Sequence, residues 1–157
     1  MPSTLITAYG EYDAAIDRIL SLAERRIDLF DHDLSRFKLD QPARHAALQR
    51  LLAVPSHRLR IVVQNSQTVL TRLPLLMRLL ETHGHQFSLV EANERLAHLS
   101  DAMLLADEQH ALIQFHRDQP RGKLIEAEDE EVKPYERKFQ SIIDEGGTPV
   151  SPRVAGL

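Results

Sequence analysis

Residues 101–115 read DAMLLADEQHALIQF: an apolar run, a short polar segment and a second apolar run. Each apolar run has the length of a β-strand, and Asp107, Glu108 and Gln109 between them suit a tight turn. The two runs are too close in sequence for a helix to lie between them. We therefore predict a β-hairpin here, with antiparallel strands, late in the chain.

The residues before this hairpin alternate between helical and extended patterns. The predicted segments are, in order, a helix over residues 11–25, a strand over residues 27–30, a helix opened by Asp40 and Pro42, a strand over residues 58–64, a leucine-rich helix between Thr71 and Gly84, and a strand over residues 87–90. Strands that are joined through helices run parallel within one sheet. With the hairpin added, the sequence predicts a single α/β domain that has a mixed β-sheet flanked by helices.

The end of the chain is less regular. Residues 126–131 are strongly acidic and suit a solvated connection, and a last helix follows with its apolar positions between Tyr135 and Ile143. We assign residues 1–147 to the domain. Residues 148–157 contain prolines and show no periodicity, and we predict that this tail is disordered.

The composition is that of an ordinary globular protein without cysteine. The 157 residues suffice for one domain with a proper core, and the net charge of −4 argues against binding to duplex nucleic acid. The absence of cysteine excludes disulfides and thiolate chemistry. The N-terminus does not read as a signal peptide, and no apolar stretch is long enough for a membrane span, so we expect a cytoplasmic protein.

Polar residues follow each of the predicted parallel strands. They are Asp31, His32 and Asp33, then Gln64 and Asn65, then Glu91 and Asn93. Open α/β sheets bind ligands beyond the carboxyl ends of their strands, so these residues could line a pocket for a small polar ligand or a cation. The alternative is that they are polar only because loops are exposed, and we favour that interpretation.

Other site chemistries have weaker support. The 8 histidines do not group with enough further ligands for a metal site, and no glycine-rich phosphate loop is present, so we predict neither metal nor cofactor. The best candidates for phosphate contacts are Arg58, Arg60, Arg72 and Arg78, with Lys38, Arg44 and Arg50. Arg58 and Arg60 lie on one strand face, and Arg44 and Arg50 lie on the exposed side of a helix. Scattered basic residues among acids are more often an ordinary surface.

The order of these elements resembles one repeat of the phospholipase D superfamily. The resemblance rests on the strands Ile27–Asp31, Leu59–Asn65 and Phe87–Val90, on the hairpin after them, and on the final aromatic helix, and it covers residues 11–145. It implies the superfamily's α/β fold. It also implies a catalytic histidine that attacks phosphorus and a lysine that neutralises the phosphoryl charge.

The superfamily motif is His-x-Lys, four residues, then Asp, on the first hairpin strand. If Asp107 is the family aspartate, then Ser100 stands at the histidine position and Ala102 at the lysine position, and His98 lies two residues too early. The resemblance therefore implies a domain whose catalytic centre has decayed. The chain is also similar to uncharacterised bacterial domains of this degenerate type, some of which accompany acetyltransferase domains.

These observations favour a non-catalytic cytoplasmic domain that binds a ligand or a protein partner. The candidate ligand-binding residues are Asp31, Asp33, Asn65, Glu91, His98 and Ser100. Superfamily members with one repeat usually pair across a two-fold axis, so we expect a homodimer. One alternative is a phosphate-ester hydrolase with a rearranged site, in which His98, Asp31 and Asp33 are catalytic. Another is an accessory subunit of an acetyltransferase.

Overall fold

The computed structural model describes residues 3–152. The strands are β1 Ser3–Ile6, β2 Arg26–Asp31, β3 Arg58–Val63, β4 Phe87–Ala92, β5 Ala102–Ala106, β6 His110–Gln114, β7 Gly122–Ile125 and β8 Gly147–Pro149. The helices are α1 Tyr9–Leu22, α2 Pro42–Leu52, α3 Gln67–Arg72, α4 Pro74–Thr82 and α5 Asp129–Asp144, with a short 3-10 turn at Glu94–Leu96. The predicted elements before residue 115 are present with bounds shifted by a few residues, except that the leucine-rich segment contains two helices, α3 and α4. Asp40 does not cap α2 as predicted: its carboxylate accepts hydrogen bonds from the N–H groups of Leu75 and Leu76 at the start of α4.

All eight strands form one mixed sheet in the order β1-β7-β6-β5-β2-β3-β4-β8. Strands β2, β3 and β4 are parallel, and the other neighbouring pairs are antiparallel. Because β5 runs against β2, and β6 runs against β5, β6 points the same way as β2. We call the end of the sheet where β2, β3, β4 and β6 finish the carboxyl end, and the opposite end the amino end. The predicted α/β fold with a mixed sheet is confirmed.

Helices cover both faces of this sheet. Ile27, Leu29 and Ile61 face α1 to α4 and pack in one buried core with Ile16 and Leu48. Successive residues of a strand point to opposite faces, so the residues between these face α5. The second core contains Phe30, Val62, Met103, Leu105, Val132, Phe139 and Ile142. The central strands are therefore buried on both sides, which explains their nearly continuous apolar sequences.

The predicted hairpin is confirmed by β5 and β6. Its turn has φ of 56° at Asp107 and 62° at Glu108, the left-handed backbone that the shortest hairpin turns require. The Asp107 carboxylate, only 6% exposed, accepts hydrogen bonds from the backbone N–H groups of Glu24, Arg25 and Arg26 at 2.7, 2.8 and 2.9 Å. One side chain thus joins the hairpin to the end of α1 and the start of β2.

The sequence does not predict the short strands β1, β7 and β8. The last of these corrects the start of the predicted disordered tail, because Thr148 and Pro149 pair with Glu91 and Val90 of β4. A strand of three residues is too short for its apolar–polar alternation to be recognised in a sequence. Such a strand forms because it pairs with a neighbouring strand. Residues 153–157 of the predicted tail lie outside the described residues.

The last helix begins earlier than its apolar period indicates. It starts at Asp129 and continues through Pro134, so the end of the acidic segment forms its first turn. Carboxylates there interact favourably with the partial positive charge of a helix N-terminus. None of the helices in residues 3–152 combines the length and hydrophobicity that crossing a lipid bilayer requires.

Arg44 is buried, and its prediction as an exposed helical residue is wrong. Only 4% of it is exposed, and its guanidinium donates to the Asp17 carboxylate at 2.8 Å and to the carbonyl oxygens of Phe37 and Asp13 at 2.7 and 3.2 Å. These bonds tie the segment between β2 and α2 to α1. The guanidinium is therefore occupied and does not offer a phosphate contact.

Replacing Asp107 by alanine removes the acceptor of three backbone hydrogen bonds. Hydrogen bonds to a charged group contribute roughly 1.5–3 kcal/mol each and do not add fully, so we expect Asp107→Ala to lower the free energy of unfolding by about 3 kcal/mol. Asp107→Asn keeps one oxygen and should lose less. Urea unfolding followed by circular dichroism measures both, with the exposed Asp118→Ala as control. Equal stability of Asp107→Ala and Asp118→Ala would contradict this role.

Candidate functional site

A cleft of about 220 Å³ opens at the carboxyl end of the sheet, between the loop after β2 and the loop after β6. Its lining is polar and carries both charges. The lining residues are Asp31, His32, Asp33, Ser35, Arg36, Gln114, Arg117 and Asp118. We call this the carboxyl-end cleft, and it lies where open α/β sheets usually bind their ligands.

Asp31, the last residue of β2, organises the loop that follows. Its carboxylate is 6% exposed and accepts hydrogen bonds from the N–H of Leu34 at 2.8 Å and of Asp33 at 3.4 Å. The loop holds Leu34 at a φ of 68°, which a leucine adopts only where its surroundings enforce it. Burial raises the pKa of the Asp31 carboxyl, although the backbone hydrogen bonds act in the opposite direction. The fold therefore accepts an unfavourable charge at this position.

Asp33 and Arg36 supply further charges from the same loop. The Asp33 carboxylate accepts a hydrogen bond from the Ser35 N–H at 3.0 Å and one from the Thr68 hydroxyl at 3.5 Å. Partial burial acts to raise the pKa of Asp33, but these hydrogen bonds outweigh it and hold that pKa below its ordinary value. The Arg36 guanidinium lies 3.8 Å from the centre of the Tyr9 ring, a cation–π contact that restrains its position beside the cleft.

His32, Gln64 and Arg117 form a hydrogen-bonded group. The Gln64 amide nitrogen donates to the carbonyl oxygens of Leu96 and Leu99 at 2.9 and 2.8 Å. The Gln64 amide oxygen lies 3.2 Å from Nδ1 of His32 and 3.1 Å from the Arg117 guanidinium. In the tautomer with the proton on Nδ1, the ring donates to this oxygen, and the 3.4 Å approach of Arg117 to Nδ1 is a contact without a hydrogen bond. Nε2 of the neutral His32 ring therefore keeps its lone pair.

Gln114 shapes the loop that carries Arg117. Its side chain is 2% exposed, and its amide nitrogen donates to the carbonyl oxygens of Gln119 at 2.7 Å and Arg117 at 3.4 Å. The Arg117 N–H donates to the carbonyl oxygen of Ser100 at 2.7 Å. The Arg117 main chain is thus held on both sides, while its side chain reaches solvent at the rim of the cleft.

The carboxyl-end cleft offers binding groups of both signs. Arg36 and Arg117 can bind an anion, and Nε2 of His32 can accept a hydrogen bond or, when protonated, donate one. Asp33 and Asp118 can accept hydrogen bonds from hydroxyl or ammonium groups. The volume of about 220 Å³ is below the roughly 300–1,000 Å³ of drug-sized pockets, so the cleft suits a small ligand. Within residues 3–152 no three His, Asp or Glu side chains are grouped to hold a metal ion.

Two of the predicted ligand-binding residues hold the start of α3 instead of lining this cleft. The Asn65 side chain accepts a hydrogen bond from the Gln67 N–H at 2.8 Å. The Glu91 carboxylate accepts two from Ser66, at 2.9 Å from its N–H and at 2.7 Å from its hydroxyl. Both residues were predicted from their place after a strand, and both satisfy backbone groups that a helix leaves unpaired.

Among the remaining predicted residues, Asp31 and Asp33 line the cleft. His98 lies in an exposed turn after the 3-10 turn and is not part of the cleft lining. Ser100 touches the site through its carbonyl oxygen, which accepts the Arg117 N–H. The structure therefore brings together two of the three residues of the alternative catalytic set and leaves its histidine outside.

Sequence reasoning missed Gln114 and Arg117. The signal for them is topological: the second strand of a hairpin returns in the direction of β2, so its last residues must lie at the carboxyl end. His32 belongs to the strand-end residues predicted as a possible pocket lining, but it is not among the candidate ligand-binding residues. Its role depends on Gln64, whose orientation is fixed by carbonyl groups of residues 96–99 that no sequence pattern brings together.

A protein-family model described as "Domain of unknown function (DUF7931)" matches residues 9–150. The chain belongs to this family. No curated protein matches the sequence. The cleft and both cores of the sheet are thus features of a DUF7931 domain, and the family description leaves its activity open.

Solved structures similar to this DUF7931 domain show its fold. Nuc from Salmonella typhimurium, a phospholipase D family member, has a TM-score of 0.63 at 11% identity over 95% of this chain and 97% of its own. NucT from Helicobacter pylori has a TM-score of 0.55 at 10% identity over 93% and 98%. TrmBL2, an archaeal chromatin protein whose structure shows a mode of DNA binding, has a TM-score of 0.68 at 14% identity over 94% of this chain and 54% of its own.

The fold is therefore phospholipase D-like. At these identities the likeness shows the fold alone, and the chain spans about half the length of the chromatin protein (54%).

Asp31→Asn tests the unfavourable charge at the end of β2. Asparagine keeps an oxygen for the Leu34 N–H but carries no charge. Because the pKa of Asp31 is raised in the folded state, its ionisation destabilises the fold. This effect is absent below the ordinary pKa of 3.8, grows as the pH rises from there to the folded-state pKa, and is complete above it. We expect Asp31→Asn to be more stable than the wild type by about 0.5–2 kcal/mol at pH 7, and by less toward pH 3. Urea unfolding across this pH range measures the difference, and a wild type that is the more stable at pH 7 would contradict it.

Proposed function

We propose that this DUF7931 domain is a non-catalytic phospholipase D-like domain that binds a small phosphate-bearing ligand in the carboxyl-end cleft. The observation that carries the proposal is the group formed by His32, Gln64 and Arg117, which presents an imidazole and a guanidinium at one end of the cleft. Arg36, on the loop after β2, adds a second guanidinium to the cleft lining. Guanidinium groups suit phosphate oxygens because they donate several hydrogen bonds in a fixed plane.

The residues at the superfamily's motif positions support binding without turnover. Taking Asp107 as the family aspartate places Ser100 and Ala102 where the histidine and lysine would be. Ala102 is fully buried at the start of β5, and its methyl group cannot neutralise phosphoryl charge. Phosphodiester cleavage depends on such charge neutralisation in the transition state.

Three further parts of this proposal rest on the sequence and on the resemblance. The absence of cysteine fits a reducing cytoplasm. The single repeat supports a homodimer, since one-repeat members of the superfamily usually pair. A separately encoded acetyltransferase is the proposed protein partner if the domain is an accessory subunit. Light scattering of the purified chain and co-purification with that enzyme are the corresponding measurements.

Arg117→Ala tests ligand binding in the cleft. We expect glycerol 3-phosphate, added to ¹⁵N-labelled protein at constant ionic strength, to shift the amide signals of residues 31–36 and 115–118 until they saturate. Arg117→Ala should weaken this binding by about tenfold, the effect of roughly 1.4 kcal/mol. The exposed Arg121→Ala, in the same loop region, is the matched control. Absence of saturable shifts at these residues, or equal affinity of the two variants, would refute the proposal.

A second candidate function is phosphate-ester hydrolysis, and one observation favours it. The hydrogen bond from Nδ1 of His32 to Gln64 leaves Nε2 with its lone pair, the state that a histidine nucleophile or general base needs. Arg117 lies beside this ring and could take over the role of a charge-neutralising lysine. In this reading His32 replaces His98, which lies outside the cleft.

Bis(4-nitrophenyl) phosphate separates the two functions. The binding proposal expects the wild type to release no nitrophenolate above background. A rate above background that disappears in His32→Ala and persists in His98→Ala would establish the hydrolase and overturn the non-catalytic reading. The same purification from cells that lack this chain measures contaminating activity: a rate at that level in all three proteins supports the binding proposal, and a higher rate in all three overturns it.

A further inference from the structure

A second cleft, of about 260 Å³, lies at the opposite, amino end of the sheet. It opens where β2 and β3 begin and where β5 turns into β6. Its lining residues are Arg25, Arg26, Ser56, His57, Arg58, Asp107 and Glu108. Three arginines therefore meet in one cleft of a chain whose net charge is −4. We call it the amino-end cleft.

The register of the sheet fixes two of these arginines beside each other. Arg26 and Arg58 are paired positions on the neighbouring parallel strands β2 and β3, so their side chains leave the same face of the sheet. Like charges at paired positions of neighbouring strands repel each other unless a counter-charge lies nearby. The next residues on this face, Asp28 and Arg60, are also paired, and there the charges are opposite.

The available carboxylates serve only one of the two arginines. Arg26 forms ion pairs with Asp28 at 3.2 Å, and with Glu108 and Glu136 at 3.4 Å each. By contrast, the Arg58 guanidinium donates to the carbonyl oxygens of its own turn, at 2.9 Å each, and within residues 3–152 it forms no ion pair. The charge at Arg58 is thus left without a counter-ion from the protein.

Arg25 is likewise without an ion-pair partner, and the carboxylates of the cleft make their close contacts elsewhere. Its exposed side chain forms no hydrogen bond or ion pair within residues 3–152. Asp107 is nearly buried, and its oxygens are taken by three backbone N–H groups. Glu108 pairs with Arg26 at 3.4 Å. The lining thus carries three positive and two negative formal charges, and Arg25 and Arg58 are its two cations that have no ion-pair partner among residues 3–152.

Two further groups of the cleft have hydrogen-bonding capacity for a ligand. Nδ1 of His57 lies 2.8 Å from the carbonyl oxygen of Leu51, so it carries the proton and Nε2 is unprotonated in the neutral ring. The hydroxyl of Ser56 lies on the same lining. A third cleft, of about 340 Å³, shares Arg26 and Glu108 with the amino-end cleft and provides space for the rest of a ligand.

We propose that the amino-end cleft is a second anion site, which binds the phosphate groups of a small di- or oligophosphate ligand through Arg25 and Arg58. Two guanidiniums, from the residue just before β2 and the first residue of β3, suit a group with several negative oxygens better than a single carboxylate does. The volume exceeds what one phosphate group fills, which favours a diphosphate. This site is separate from the carboxyl-end cleft and does not depend on the function proposed for it.

Inorganic pyrophosphate is the probe, and amide chemical shifts report where it binds. We expect saturable shifts at residues 24–26 and 56–58 of ¹⁵N-labelled protein at constant ionic strength. The double variant R25A/R58A should weaken this binding by at least about tenfold. R72A/R78A removes two exposed arginines from α3 and α4 and is the matched control for charge. Arg117→Ala should leave these shifts unchanged, which separates this site from the carboxyl-end cleft.

Three outcomes would overturn the proposal. The first is that pyrophosphate shifts no signals at the amino end of a folded protein, as judged by its dispersed spectrum. The second is that R25A/R58A and R72A/R78A weaken binding equally, which would mean only a loss of net charge. The third is that a twelve-residue oligothymidylate binds the same residues more tightly than pyrophosphate, with a steep salt dependence, which would assign the arginines to nucleic acid. Charge-retaining R25K/R58K, with intermediate affinity, would support planar guanidinium contacts.

Discussion

A nearly buried carboxylate at Asp107 receives three backbone N–H groups from the junction of α1 and β2, and this contact sets the register of the central sheet. It lies in the β5–β6 turn, so it holds that turn against the start of β2 and pairs Ile27 with Ala106. A slip of one residue would exchange the two faces of β5 and move Leu104 and Met103 into the wrong cores. Both clefts depend on this register, because each contains residues of β2 or its flanks together with residues of the hairpin.

A second buried carboxylate divides the arginines of the sheet into two groups. Asp28 is 3% exposed and accepts two hydrogen bonds from Arg60, at 2.8 and 3.1 Å, besides its ion pair with Arg26. An unpaired charge in this position would be costly, so these two guanidiniums are fixed as structural partners. Arg60 also lies 5.2 Å from the ring centre of Phe139 and thereby contacts α5. Arg25, just before β2, and Arg58, the first residue of β3, have no such partner among the described residues, so the proposed anion site uses arginines that the fold does not employ as ion-pair partners.

The sequence predicts those parts of the fold whose signal is contained in one segment. The hairpin, β2, β3 and β4 have apolar runs long enough to be recognised, whereas β1, β7 and β8 exist mainly through their partners. Gly122 and Gly147 show the reason, since a Cβ at either position would overlap the carbonyl oxygen of the neighbouring strand, a constraint that only the pairing reveals. The same holds for the candidate site: a residue could be predicted only where its signal is contained in one segment. Asp31 and Asp33 could be predicted because they follow a strand directly, but Arg117 depends on a loop whose shape comes from the buried Gln114.

The position of the positive charges at the carboxyl end of the sheet bears on the phosphate chemistry that this fold can perform. The resemblance places a lysine at position 102, but Ala102 is fully buried and lies directly opposite Gln114 in the β5–β6 pairing. A lysine there would have to desolvate its ammonium group, unless the packing around it opened. The side-chain amide of Gln114 meanwhile holds the loop that carries Arg117. The β5–β6 pair therefore has no lysine at position 102, and the loop after β6 supplies the Arg117 guanidinium instead. A cation on an exposed loop can bind a phosphate group but is less rigidly placed for a transition state than one fixed on a strand. In the function proposed above, the positive charge that meets a phosphate group comes from Arg117 on a loop, a placement that suits binding better than cleavage.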